Sequence, residues 1–230
     1  MDGDENREQL PTDREEPSLR RRGTSGTDLS RIISLSDGVF AFALTLLALS
    51  LTVPVFATNG LSNASASGHL AFLLQHDYNA FFGYGFAFVM IAVWWVAHQR
   101  TFQHIARYNS TLVWLNMGIL LQIAVMPFVL SVYNDYGQTQ TAVGLFAGLQ
   151  VTLGITTTSL WDYARRAKLI RPNVPEAVAQ FFSRRGWVTS GVFAISIGLT
   201  FVSVTAAQIS WFGVFVVQRL LDRPGVETPV

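Results

Sequence analysis

Residues 31–38 read Arg31-Ile32-Ile33-Ser34-Leu35-Ser36-Asp37-Gly38, and they lead directly into an apolar segment that continues to residue 55. The carboxylate of Asp37 therefore falls about two turns inside a helix of membrane-spanning length. Keeping an aspartate at the centre of such a helix costs about 2.5–3.5 kcal/mol on insertion scales, and less toward an end. An acid held there marks a functional position, and Arg31, six residues earlier, is a candidate partner.

The rest of the chain agrees with a membrane setting. Half of the 230 residues are hydrophobic and 13% are charged, against roughly 25% charged in an ordinary soluble domain. Apolar segments near the roughly twenty-residue spanning length recur, at about 34–55, 79–98, 111–132, 141–163, 187–205 and 207–221. The basic residues test this count. Of the 16 Lys and Arg, six precede span 1, two follow span 2, six follow span 4 and two, Arg219 and Arg223, lie at or past the end of span 6; the three opposite connections carry none. Positive charge marks the cytoplasmic side, so the expectation is an all-α membrane protein with six helices and both termini cytoplasmic. Residues 1–30 read as a disordered cytoplasmic tail, 31–221 as the transmembrane domain and 222–230 as a C-terminal tail. The first 28 residues hold eight acids and five arginines with almost no apolar content, which does not fit a signal peptide.

Chemistry-bearing patterns are sparse. There is no cysteine, so disulfides and thiolate metal sites are excluded. No HExxH motif, carboxylate pair or Ser/His/Asp set occurs at one depth, so no enzyme is expected, and no cofactor or metal site. Asp162 stands beside Arg165 and Arg166 as an expected surface pair. Residues 56–78 read as the long outer loop, and Asn63-Ala64-Ser65 there matches a common glycosylation triplet. After Pro172 and Pro175, the residues Val174, Val178, Phe181 and Phe182 suggest a short amphipathic helix on the membrane surface. Gly83-Tyr84-Gly85 copies the centre of a carbonyl-lined potassium filter. Phe81-Phe82 occupy the lead-in positions, however, and about 13 residues remain before His98, too few to cross a bilayer. Close helix packing is the better reading of these glycines, and Gln122 and Pro127 likewise suggest packing and a kink.

Span 1 carries two stripes. Gly38, Ala41, Thr45, Ala48 and Thr52 put small side chains on one face, where another helix approaches closely. One residue round lie Phe42, Leu46, Leu49 and Val53, which periodicity alone assigns equally to lipid or to a bundle core. At the other end of the span, topology sets Arg31, Ser36 and Asp37 at the depth of His98 and Asn116. Buried polar groups in lipid need partners, so Asp37 and Ser36 are expected to bond with His98, Asn116 or Arg31 and clamp span 1 to spans 2 and 3.

The order of these blocks resembles the transmembrane protein 175 family of lysosomal and bacterial potassium channels. Arg31-x-x-x-Leu35-Ser36-Asp37 is similar to the family's R-x-x-x-F-S-D signature, and the following Gly-Val-Phe-Ala-Phe-Ala-Leu-Thr-Leu-Leu is similar to its bacterial members. So are Trp94-Trp95-Val-Ala-His98-x-x-x-Phe102 and Leu112-Val-Trp-Leu-Asn116. The resemblance implies a single-unit bacterial channel in the plasma membrane, a homotetramer with span 1 of each subunit around the pore. It assigns Phe42, Leu46 and Leu49 to a hydrophobic constriction and Thr45 to the polar pore threonine of animal members. Arg31, Ser36, Asp37, His98 and Asn116 become the structural polar network. The implied partners are a second copy of the chain, the bilayer and permeating K⁺, with no nucleic acid. Leu35 stands where the signature has phenylalanine, and Phe42 where the constriction has isoleucine. A greasy constriction supplies no oxygen ligands, so selectivity is expected from the cost of shedding water, which is greater for Na⁺ than for K⁺. His98 and His104 suit pH sensing, and an intramembrane acid near a histidine leaves a proton-coupled transporter or proton-conducting protein as the alternative.

Overall fold

In a computed structural model of the chain, residues 26–49, 51, 62–76 and 78–221 are described. They form eight helices: α1 (Gly26–Ala48), α2 (Asn63–His76), α3 (Tyr78–Gln103), α4 (Ser110–Tyr136), α5 (Gln140–Arg166), α6 (Glu176–Thr200), α7 (Val204–Ser210) and α8 (Phe212–Leu221). The single β-bridge among these residues pairs Ile105 with Ile170. Four stretches are long and apolar enough to cross a membrane: Leu29–Ala48, Phe81–Gln103, Ser110–Tyr136 and Gln140–Arg166. The chain is an all-α, multi-pass membrane protein.

Side-chain caps explain four of the eight helix starts. Asn109 caps α4 by accepting from the Leu112 amide, and its own amide donates to the Tyr163 hydroxyl at 2.7 Å. Thr139 caps α5 and Ser203 caps α7 in the same way. Ser62 accepts from the Ser65 amide ahead of α2. That cap, with the Leu- and Ala-rich run that follows, makes a helix of residues 63–76, within the segment expected to be the long outer loop.

Two further expectations change. No separate surface helix follows Pro175: α6 runs unbroken from Glu176 to Thr200, so Val178, Phe181 and Phe182 form its first turns. The reason is packing. A Cβ on Gly186 would lie 2.1 Å from the Thr158 hydroxyl, so this glycine holds α6 against α5 and does not end the helix. The apolar stretches expected at 187–205 and 207–221 are divided differently, at Phe201–Ser203 and at Trp211. Of the tail expected at 1–30, residues 26–30 form the first turn of α1; residues 1–25, the tail at 222–230, the part of span 1 that includes Thr52 and Val53, and residues 52–61 lie outside the described residues.

The core is made by α3, α4, α5 and α6 around Ile91, Ile123, Phe146, Leu153 and Phe193, with Phe40, Ala43 and Leu47 of α1 packed against it. Gly154 makes a second close approach across α5 and α6, where a Cβ would lie 2.3 Å from the Ser190 hydroxyl. Gly186→Ala is expected to lower stability by about 1–3 kcal/mol, the usual penalty for overpacking, despite alanine's better helix propensity. Gly118→Ala, whose Cβ would meet Thr156 at an ordinary 3.5 Å, is expected to be neutral or better. Thermal melting of the purified protein compares the two.

Candidate functional site

α1 presents two opposite faces. On one, Ser36, Phe40, Ala43 and Leu47 recur at 4-3-4 spacing and are buried. On the other, Gly38, Ala41, Phe42, Thr45, Ala48 and Leu49 are exposed, Phe42 at 63% and Leu49 at 77%. Leu46 is half-buried between the two faces. A Cβ at Gly38 would meet nothing within 4 Å. The Thr45 hydroxyl donates to the Phe42 carbonyl at 2.8 Å, so its lone pairs remain available on the open face. The subunit's own core thus leaves uncovered three of the four residues assigned to the pore, Phe42, Thr45 and Leu49.

The buried face is fixed by a directional hydrogen-bond chain. His98 on α3 shares a bond of 2.9 Å between Nε2 and Asn116 Oδ1 on α4. The Asn116 amide donates to Ser36 Oγ at 3.0 Å, and Ser36 donates to the Ile32 carbonyl at 2.9 Å. Because Asn116 turns its carbonyl to the ring, Nε2 is the nitrogen that carries the proton. The ring stacks on Phe102 with centroids 4.4 Å apart and lies 5.5 Å from that of Phe40. Three helices meet here with Ser36, His98 and Asn116 all buried.

Asp37 takes different partners from those expected. Its Oδ1 accepts from Trp95 Nε1 at 2.9 Å and from the Gln99 amide, and not from His98, Asn116 or Arg31. Arg31 is exposed, and among the described residues it makes no salt bridge with Asp37. Residues six apart on a helix do not share a face, whereas Trp95 and Gln99, four apart on α3, do. That spacing beside His98 was the signal available in the sequence. Leu35, which replaces the signature phenylalanine, is exposed at 51% and lies outside the buried core of the subunit.

Other polar residues hold helices together. Trp94 Nε1 donates to Gln150 at 2.8 Å, linking α3 to α5, and Gln122 donates to Thr156 at 3.0 Å between α4 and α5. Pro127 is buried within unbroken α4. Gly83-Tyr84-Gly85 lies in helical α3, so its carbonyls line no filter; a Cβ on Gly83 would strike the Asn134 side chain, while Gly85 faces open space. Asp162 accepts from Ser183 and from Trp187 Nε1 at 3.1 Å, with Arg165 only at 4.0 Å. Arg165 turns instead to Glu176 at 2.8 Å.

His104, just past the end of α3, sits edge-on to Trp161 and Phe182, at 6.0 and 5.6 Å. Burial, and then the Arg171 charge, hold its pKa below the ordinary 6.5. The unfolded chain therefore takes up this proton first as pH falls. Stability contributed here is complete above about 6.5 and declines as pH drops from 6.5 toward the lowered folded value. The melting temperature of His104→Gln is expected to fall less between pH 7.5 and 5.5 than that of the parent. Parallel curves would remove His104 as the titrating group.

α1 thus carries an open face of small and large apolar residues broken by Thr45, backed by a polar clamp to α3 and α4. Residues 31–127 match the family model described as endosomal/lysosomal potassium channel TMEM175. A potassium channel from Streptomyces collinus is 28% identical over 178 residues, covering 75% of this chain and 82% of its own. One from Chamaesiphon minutus is 29% identical over 188 residues, covering 77% and 87%. The mouse endosomal/lysosomal proton channel TMEM175 is 25% identical over 170 residues, 73% of this chain but 33% of the mouse protein. The crystal structure of a lysosomal potassium-selective channel TMEM175 homolog from Chamaesiphon minutus shares the fold, with a TM-score of 0.65 and 24% identity over 84% of this chain and 97% of that one. The chain is thus similar to the TMEM175 family over residues 31–127, and to bacterial potassium channels over about three quarters of its length.

Proposed function

We propose that the chain is one subunit of a homotetrameric potassium channel of the plasma membrane, with α1 of each copy lining a central pore. The observation that carries this reading is the split of α1: one face locked to α3 and α4 through Ser36, Asn116 and His98, the other open and lined by Phe42, Thr45 and Leu49. A helix held that firmly by polar bonds on one side keeps its open face in register from copy to copy. Phe42, Leu46 and Leu49 form the hydrophobic constriction of the proposed pore, and Thr45 supplies its polar oxygen.

The reading keeps six spans, with α6 as the fifth and α7 with α8 as the sixth, and both termini on the cytoplasmic side. The support is charge. Every described Lys and Arg up to Arg185 lies near the same ends of the long helices, beside the bridge between Ile105 and Ile170. K⁺ passes as the permeating ion, with no resident cofactor and no catalysis.

Proton conduction is the second reading, favoured by the name of the mouse relative. The two separate in one experiment. Purified protein in planar bilayers is recorded first under a tenfold K⁺ gradient at equal pH, then under a pH gradient at equal K⁺. A potassium channel shifts its reversal potential toward the K⁺ equilibrium value in the first condition and stays near zero in the second. The opposite pattern establishes a proton path, and absence of current in both overturns the channel reading.

A further inference from the structure

At the basic end of the bundle, two loops are tied to each other. The Leu169 carbonyl accepts from the amides of Ala106 and Arg107 at 2.9 and 3.2 Å, and the Arg171 amide donates to the His104 carbonyl at 2.9 Å. The Arg107 guanidinium reaches the Lys168 carbonyl at 3.4 Å. Arg107, Lys168 and Arg171 are thereby gathered on one small, fixed platform, and all three are exposed. Neither loop contains an acid. The carboxylates that flank loop 167–175 in sequence are engaged elsewhere, Asp162 by Ser183 and Trp187 and Glu176 by Arg165 and Gln180.

Lys168 adds a second observation. Helix α5 ends in a Schellman motif, with Leu169 N–H bonded to the Ala164 carbonyl and Lys168 N–H to that of Arg165. The residue that must turn left-handed in this motif is usually glycine. Here it is Lys168, at φ 55°, the one non-glycine residue with positive φ in the structure described. A backbone position that favours glycine has been given to a long cationic side chain. The strain points to a role for the ammonium group.

We propose that loops 104–109 and 167–175 form a docking surface for anionic phospholipid headgroups, with Arg107, Lys168 and Arg171 as its cations. The platform sits at the ends of α3 and α5, where a bilayer's headgroup layer begins if these helices span. The inference rests on the membrane placement given above, and not on conduction. Half-buried Tyr108 and exposed Trp187 lie near the same ends of the helices, the interfacial position such rings favour. Each cation near an anionic surface is worth several-fold in affinity.

Native mass spectrometry of the purified full-length protein, titrated with cardiolipin and separately with phosphatidylcholine, tests this. Cardiolipin is expected to bind in preference, and Lys168→Gly with Arg171→Gln to weaken it by about tenfold or more. Lys168→Gly relieves the backbone, so its loss of lipid cannot be charged to misfolding; its melting temperature should hold or rise. Arg107→Lys with Arg171→Lys should retain affinity within about twofold, and a charge-matched control, Arg100→Gln with Arg184→Gln, should lose no more than that. Equal losses in the control and loop variants would reduce the effect to general surface charge and overturn the proposal. So would equal binding of phosphatidylcholine, or displacement by inorganic pyrophosphate at the same concentration as the lipid. A tenfold gain in cardiolipin affinity on deleting residues 1–25 would name the acidic tail as the occupant and also overturn it. Bilayer currents from the same preparation report separately on conduction, so failure of one reading is distinguishable from failure of the other.

Discussion

Asn116→Leu is expected to destabilise the protein by about 2–3 kcal/mol, the largest loss from any single change in the clamp. Asn116 is fully buried and serves two neighbours, accepting from His98 and donating to Ser36. Leucine keeps the branched shape, is somewhat bulkier, and removes both bonds. Ser36 still donates to the Ile32 carbonyl and loses little. His98 has no such reserve: its Nδ1 already lacks a partner, so the whole ring is left unpaired between Phe40 and Phe102. An unmade hydrogen bond in a dry site costs about 1–3 kcal/mol, whereas an average interhelical bond in a membrane protein contributes about 0.6.

The asymmetry makes the test sharp. Ser36→Ala, which strands one of the two Asn116 donors, should cost about 1 kcal/mol. A double-mutant cycle between the two positions should show coupling of about 0.5–1 kcal/mol. Asp37→Asn keeps the oxygen that Trp95 and Gln99 address, but turns two charge-assisted bonds into neutral ones about half as strong. It is expected to lower thermal stability or open probability and to leave ion selectivity unchanged, because Asp37 holds α1 to α3. Melting curves of the purified variants decide the order. Asn116→Leu as stable as the parent would show that the chain of bonds is ornamental.

Much of this arrangement was legible from residues alone. The four long apolar helices follow from hydropathy, and the meeting of Ser36, His98 and Asn116 follows from depth: three polar groups at one level of a lipid-facing bundle have few other partners. The acid's partners were harder to read. Depth gave His98, Asn116 and Arg31 as candidates for Asp37, whereas the partners are Trp95 and Gln99, which only helix phase on α3 would single out. Loop 104–109 pairing with loop 167–175 left no signal, because backbone hydrogen bonds between irregular segments depend on atoms every residue shares. Nothing in the sequence marks Gly186, whose closeness to Thr158 explains why α6 passes through residues expected to form a separate surface helix. Lys168 likewise shows its left-handed turn only in the coordinates.

Phe42→Ala is expected to raise single-channel conductance by about fivefold or more, since removing four rings from a proposed constriction lowers its dewetting barrier, and each 1.4 kcal/mol is a factor of ten. Leu49→Ser, two turns further along the same open face, should also raise current, and should narrow the preference for K⁺ over Na⁺ because hydroxyls replace part of the lost hydration shell. The control comes from the opposite face of the same helix. Leu47 is buried against the bundle, so Leu47→Ser should reduce folded yield while leaving the conductance of surviving channels unchanged. Lipid exposure of Phe42 and Leu49 would give the reverse, with both substitutions silent in conduction. Single-channel recordings in symmetrical K⁺, then in K⁺ against Na⁺, read all three variants on one preparation. The argument turns on helix phase: residues 42 and 49 are seven apart and share a face, while 47 lies on the other side. A result that followed hydrophobicity without regard to phase would remove α1 from the pore.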